Sequence, residues 1–413
     1  MAFLRERLPN GLEVIAETSE SAVSTSVGFF VATGARDEAP AIAGVSHFLE
    51  HMTFKGPPGL SAEEINRRFD RLGAAANAFT SEEDTVYHAA VLPRHQADAV
   101  ELLAALMRPE LRTDDFEMEK QVIVEEIRMY DDQPPFGADD RCRAAFFGGH
   151  PLAGSVLGTV ESIEALDVEA MREYHRRRYA PGGMVLAASG AVDFPALVEQ
   201  ARRLCGAWEP LPAAARTVAA PPRAAAAPGT TRIERPAATL GYAVRMTAGP
   251  GEEDPDRWAA GLLAVVLGDG SGSRLYWELV DPGIVEHATL GHHDFLDAGL
   301  FVTQLSCEPE DVDGSLARIL DVYAAAARDG ITAAEFERAR NKAAGRVVLA
   351  GERPRRRLFD VGLEWSHARR YRSVADTLAL VEAVTLDDIH RLLAAWPLDA
   401  PAATVVAGPG PSA

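Results

Sequence analysis

The spacing of apolar residues changes period several times along the chain. GLEVIAETS (residues 11–19) and STSVGFFVATGA (24–35) are rich in β-branched and aromatic residues and predict strands. From Ala41 to Phe54 the period changes, with Ile42, Val45, Leu49 and Met52 recurring at three- and four-residue steps, which predicts a helix over 41–54. Ser61, with Glu64 three residues on, has the form of a capping box and starts the next helix. ANAFTS and DTVYHAAVLP then predict two paired strands, and apolar periodicity predicts helices over Gln96–Met107 and Thr113–Tyr130.

The pattern breaks once. Leu211–Gly229, LPAAARTVAAPPRAAAAPG, is Ala/Pro-rich with few large apolar residues, as expected of a semi-rigid linker. The halves on either side echo each other. TDDFE (113–117) recurs as TAAEFE (332–337), placing Phe116 and Phe336 220 residues apart (336 − 116). Later in each half a helix leads to an apolar strand that stops at glycine, Gly190 in one and Gly408 in the other, 218 apart (408 − 190). These markers predict a duplicated unit and an α+β fold, each copy a mostly antiparallel sheet covered by a helix layer. The expected division is residues 1–210, a linker at 211–229, and 230–413.

Length and composition agree with two globular domains: 413 residues, 47% hydrophobic and 25% charged. A formal net charge of −20 disfavours nucleic acid and anionic membranes as partners, because both need a basic face, and suits cationic or peptide substrates. Cys142, Cys205 and Cys307 lie far apart in no CxxC pattern, which argues against a disulfide framework or a thiolate metal site. The first residues reach charge at once, without the apolar run of a secretory signal, and no run approaches eighteen apolar residues. A reducing, cytoplasmic location is the expectation.

The chemistry concentrates in HFLEHMTFKG, residues 47–56. On a helix, His47 and His51 lie one above the other at i and i+4 and can converge on one cation, a spacing that suits zinc. Glu50 borders that face without chelating easily, the place for a base acting on water. A buried histidine pair satisfied by hydrogen bonds would look the same. A catalytic zinc needs a third protein ligand and leaves a position open. EKQVIVEEIRMY (119–130) offers one: Glu126 shares a face with Val122, Ile123 and Tyr130, and Glu119 lies two turns earlier on that stripe. Unpaired carboxylates on an apolar stripe cost about 5 kcal/mol or more to bury, which a nearby cation offsets. Glu125 points elsewhere, with Gln121 and Arg128, so periodicity favours Glu126 without excluding Glu125.

With these residues in hand, the chain resembles the pitrilysin/insulinase family of inverted-motif zinc peptidases, nearest its short bacterial and mitochondrial processing-peptidase branch. GFFVATGARDEAPAIAGVSHFLEHMTFKG, NAFTSEEDTVYHA, EKQVIVEEI, HPLAGSVLGT and RYAPGGMVLAASG look like that family's blocks, in its order. By position, the resemblance implies one zinc per chain on His47, His51 and Glu126, with Glu50 as general base. It also implies that Glu119 supports the ligands, and that Asn77, Ala78 and Phe79 lie on an edge strand where an extended peptide docks.

One departure matters. Self-sufficient members carry an arginine, and a tyrosine seven residues on, after a glycine-rich turn and an SRL-like segment. Here GDGSGSRLYWELVDPGIVEHATL puts Val280 at the arginine position and Glu286 or His287 at the tyrosine position. Valine donates no hydrogen bond, and glutamate opposes a developing oxyanion, where a missing donor costs about 3 kcal/mol. The resemblance therefore implies the zinc-bearing subunit of a heterodimer, whose homologous partner supplies the Arg/Tyr pair, the two closing around a chamber. The alternatives are a non-catalytic structural or peptide-binding subunit, and a self-sufficient homodimer with Arg274 as substitute. GDGSGS lacks the Lys-Ser/Thr of a phosphate loop, and His292-His293 lacks a well-placed acidic partner, so neither is read as a site.

Overall fold

The computed structural model describes residues 1–132 and 137–409. Two compact units divide it. One comprises Met1–Ile127, Gly154–Thr217 and Leu349–Ser373; the other comprises the described parts of Arg128–Ala153, Val218–Val348 and Val374–Ala413.

The first unit holds a six-stranded sheet of β1 (Ala2–Arg7), β2 (Glu13–Thr18), β3 (Thr25–Val31), β4 (Ala75–Thr80), β5 (Thr85–Val91) and β6 (Met184–Gly190), in the order β1-β2-β6-β3-β5-β4. Only β2 and β6 run parallel. The second unit holds β7 (Gly229–Glu234), β8 (Gly241–Gly249), β9 (His287–Asp294), β10 (Gly299–Cys307) and β11 (Ala403–Gly408), in the order β7-β11-β8-β10-β9, with β7 and β11 parallel. The orders 2-6-3-5-4 and 7-11-8-10-9 superpose strand for strand, so the duplication read from Gly190 and Gly408 is a duplication of topology. β1 alone has no counterpart.

Alternation sorts each strand onto two faces. In the first sheet, Val27, Phe29, Val31, Tyr87, Ala89 and Leu186 face a core built with α1 (Val45–Thr53), α2 (Ala62–Leu72), α3 (Gln96–Leu106) and α4 (Thr113–Asp132). That layer continues, after α5 (Ala138–Phe147), with α6 (Val160–Ala165), α7 (Val168–Arg178) and α8 (Phe194–Cys205). In the second unit, α9 (Arg257–Gly268), α10 (Val312–Asp329) and α11 (Ala333–Gly351) join the core of its sheet, where Phe336 is buried as Phe116 is in the first.

The other face of the first sheet presents Ile15, Phe30, Val86, Val185 and Ala187, and α12 (Pro354–Ala368) covers it with Leu358, Val361 and Trp365. Gly362 makes that packing possible, since a Cβ there would lie 2.3 Å from the Phe30 ring. Reciprocally, α5 from the first half of the sequence sends Cys142, Phe146 and Phe147 into the core of the second unit. Residues 211–228 run between the strands of the two units, and each unit also takes a helix from the other half of the chain. No helix among the described residues is long and apolar enough to cross a membrane.

One predicted element is shorter than its pattern. The helix expected over 41–54 begins at Val45, preceded by a 3-10 turn at Pro40–Ile42. Gly44 breaks it, at φ +88°, where a Cβ would lie 2.5 Å from the carbonyl oxygen of Leu157. The half-buried carboxyl group of Glu38 accepts the N–H groups of Gly44 (2.6 Å) and Ser46 (2.7 Å), taking donors that the first helical turn leaves unpaired.

Candidate metal centre

α1 buries Val45, Phe48, Leu49 and Met52, which leaves His47, Glu50 and His51 on the adjoining face. α4 buries Phe116, Ile123, Val124 and Ile127, and the stacked rings of Phe48 and Phe116, 4.7 Å apart, join the two helices. Glu119 and Glu126, two turns apart on α4, reach the histidines from across that contact.

The geometry is convergent. The His47 and His51 rings lie 4.7 Å apart. Nε2 of His47 is 3.8 Å, and Nε2 of His51 3.7 Å, from the same oxygen of Glu126. One ligand atom from each of the three residues lies within 4.8 Å of the others. These separations are too long for hydrogen bonds, and near the roughly 3.4 Å between ligands that each sit about 2 Å from a tetrahedral ion. Two imidazole nitrogens and one carboxylate oxygen form a donor set that suits zinc, so the residues fit the ion.

The remaining polar atoms orient these donors. Nδ1 of His51 donates to Oε1 of Glu119 at 2.9 Å, which turns Nε2 toward Glu126. The other Glu119 oxygen lies 2.5 Å from Nζ of Lys55. The hydrogen bond from His51, opposed by burial and aided by Lys55, holds the Glu119 carboxyl down to about 2. Burial, with the neighbouring His51, pushes His47 down to about 3 and keeps its ring neutral, the form that ligates a metal. Burial also works against a charged His51, but the bond to Glu119 and the charges of Glu126, Glu119 and Glu50 outweigh it and raise its pKa. Burial raises Glu50, countered in part by the Thr80 hydroxyl, which donates to Oε2 at 2.8 Å. Burial raises Glu126 as well.

The α4 stripe differs in one respect from the pattern. Ile123 is buried but Val122 is 48% exposed, because the carboxylates lie at the margin of the α1–α4 contact and not inside it. Glu125, Gln121 and Arg128 face solvent, away from Glu126.

Asn77, Ala78 and Phe79 lie on β4, the outermost strand of its sheet, paired with β5 alone. Ala78 and Thr80 face the α1 side, and Phe79 packs against Phe359 of α12 on the opposite face, so Phe79 offers the site only its backbone. Lys55 and Thr80 were not singled out in the sequence. Lys55 stands inside the histidine motif and Thr80 is the last residue of the edge strand, but nothing local links either to Glu119 or Glu50.

In the second unit, Val280 ends a single π-helical turn, Tyr276–Val280, packed on the core, while Glu286 and His287 are exposed. Arg274 is bound to both oxygens of Glu335 (2.7 and 3.0 Å) and to the carbonyl of Gly330 (2.8 Å). His292 bonds the carbonyl of Pro250 at 2.8 Å, and no metal-ligand cluster among the described residues includes it.

Comparison with known proteins adds the following. A family model described as "Insulinase (Peptidase family M16)" matches residues 13–160, and one described as "Peptidase M16 inactive domain" matches residues 165–343. An uncharacterized zinc protease of Mycobacterium tuberculosis is 34% identical, over 95% of this chain and 90% of the relative. A probable mitochondrial-processing peptidase subunit beta of Arabidopsis thaliana is 27% identical, over 97% and 77% respectively. The crystal structure of a protease from Helicobacter pylori has the same fold, with a TM-score of 0.91 over 99% of this chain and 100% of that one, at 21% identity.

Proposed function

We propose that this chain, which belongs to the insulinase family of peptidases, peptidase family M16, is the metal-bearing subunit of a zinc endopeptidase acting on unfolded peptides. The observation that carries the reading is the convergence of His47, His51 and Glu126 on one point, with Glu50 beside it. These three residues would hold one zinc ion per chain, which supplies the Lewis acidity that makes water acidic near neutral pH and polarises a peptide carbonyl.

The protein groups do the rest. Glu50, its carboxylate held by Thr80, accepts a proton from water and returns it to the leaving amine. Glu119 fixes the tautomer of His51. The free edge of β4 offers backbone donors and acceptors to an extended peptide with little demand on its side chains, so Asn77, Ala78 and Phe79 align the substrate rather than select it.

The transition-state oxyanion still needs donors. Val280 is packed on the core of its unit and Arg274 is committed to Glu335 and Gly330, which supports a homologous second chain as the source of an Arg/Tyr pair. A relative named as a subunit beta supports the same assignment. The same observations weigh against a self-sufficient homodimer, and the intact donor set weighs against a purely structural subunit.

The test uses metal analysis and a quenched peptide. The purified chain should carry about one zinc, His47→Ala should lose it, and Glu50→Gln should retain it while losing cleavage in the presence of an Arg/Tyr-bearing homologue. A metal-free native chain would refute the metal centre. Equal cleavage with and without the homologue would refute the division of labour.

A further inference from the structure

We propose that Lys55 and Arg112 are positioning residues of the metal centre: together they clamp the end of α1 to the start of α4 and set the gap across which the imidazoles face the carboxylates. The proposal rests on the reading of His47, His51 and Glu126 as a metal site.

The two helices that carry the donors are far apart in sequence, and each ligand distance depends on how they are held together. The stacking of Phe48 on Phe116 resists separation but is tolerant of sliding. Polar bonds at defined atoms are not. Lys55 follows α1 by two residues, and its ammonium lies 2.5 Å from Oε2 of Glu119. The other oxygen of that carboxylate accepts a hydrogen bond from Nδ1 of His51. Glu119 is therefore gripped at both oxygens by the segment that carries the histidines.

The second point of the clamp runs the other way. Arg112 stands just before α4, its carbonyl accepting the N–H of Phe116 (3.0 Å), and its Nη2 donates to the carbonyl of Lys55 at 2.6 Å. Its guanidinium is itself fixed by Glu110 (2.7 Å) and Asp115 (2.5 Å). One residue further on, Glu110 N–H bonds the carbonyl of Gly56 at 3.1 Å. Gly56 sits at φ +95°, where a Cβ would lie 2.2 Å from the Leu60 carbonyl oxygen, so the chain turns away there in only one manner.

Charge points in the same direction. Glu50, Glu119 and Glu126 gather around the two imidazoles, and among the described residues Lys55 is the only Lys or Arg within ion-pair distance of Glu119. Without it, the bond to His51 is the only one that holds Glu119, and partners that orient metal-bound histidines commonly govern affinity by 10–100-fold.

The experiment measures zinc affinity of the full chain by competition with a chelator of known affinity, alongside thermal unfolding of the metal-free protein. Lys55→Met should weaken zinc binding about 10–100-fold with little change in unfolding temperature, and Lys55→Arg should recover most of it. Arg112→Met, which leaves Lys55 and Glu119 in place, should weaken it by a smaller factor and decides the matter if Lys55→Met does not fold. Native zinc affinity in Lys55→Met, or equal losses in the Met and Arg variants, would overturn the clamp. A native chain that binds no zinc would instead remove the metal-site reading on which the clamp depends.

Discussion

Thr80 and Glu50 share a hydrogen bond of 2.8 Å, so the last residue of the edge strand holds the carboxylate that stands beside His51. The hydroxyl stabilises the charged form of Glu50 against its burial.

Thr80→Val keeps the shape and deletes the donor. Loss of a bond to a charged group costs about 1.5 kcal/mol and falls on the ionised carboxylate, so activity of the proposed enzyme should fall by up to about tenfold on the acid side of its profile. Because the lost bond favoured the ionised carboxylate, the pKa of Glu50 must rise, and the acid limb of the kcat/KM profile should move to higher pH. A pH–rate profile of the active assembly checks both. An unmoved acid limb would mean that Glu50 is not the titrating base.

How far the site was legible follows from the range of each interaction. His47, Glu50 and His51 lie within one helical turn, so spacing alone assembles them. Glu126 could be preferred to Glu125 because helical periodicity extends over the whole of α4. The bonds of Glu119 to His51 and Lys55, and of Thr80 to Glu50, join segments 30 to 68 residues apart, and no local pattern encodes them. Ile42 and Val45 continue the apolar period across Gly44, so the true start of α1 was hidden. Likewise, nothing local to Pro354–Ala368 indicates that it covers the far side of a sheet formed by the other half of the chain.

The choice between adjacent glutamates gives a sharp comparison. Glu126→Gln removes the carboxylate that both Nε2 atoms face, and should lower zinc affinity by at least a hundredfold. Glu125→Gln changes a solvent-facing residue outside the donor set, and should leave zinc content as it was. Metal analysis of the two variants after dialysis against a weak chelator distinguishes them. The reverse result would reassign the third ligand.

Stability should decline in mild acid through His175. Its Nε2 bonds the carbonyl of Met107 at 3.0 Å, and burial, aided by the Arg108 charge, lowers its pKa from 6.5 to about 4. Burial lowers His88 to about 4 as well. The folded pKa lies below the unfolded one, so the unfolded chain takes up the proton first as pH falls. The stabilisation is therefore complete above about 6.5 and lost progressively toward 4. His175→Gln cannot take up that proton, so its unfolding midpoint should fall less between pH 7 and pH 5 than that of the native chain. Parallel slopes would remove His175 as a contributor.

Arg274 provides the last test, because it separates a structural arginine from a catalytic one. Its guanidinium binds both oxygens of Glu335 and the Gly330 carbonyl, and that bond, opposed by burial and aided by Thr332, holds the Glu335 carboxyl down to about 2. Both side chains are about one-fifth exposed, so the pair lies between surface and buried ion pairs in strength. Arg274→Met should therefore destabilise the second unit by about 1–3 kcal/mol, since it leaves the Glu335 carboxylate held by Thr332 alone and removes the side-chain donor of the Gly330 carbonyl. Zinc content should not change, because the donors lie on α1 and α4. If Arg274 instead replaced the missing electrophilic arginine, the variant would lose about 3 kcal/mol of transition-state stabilisation, or more than a hundredfold in kcat/KM, at temperatures where it is fully folded. Measuring unfolding temperature and kcat/KM on the same preparation decides between the two, and a large rate loss in a folded variant would revive the self-sufficient homodimer.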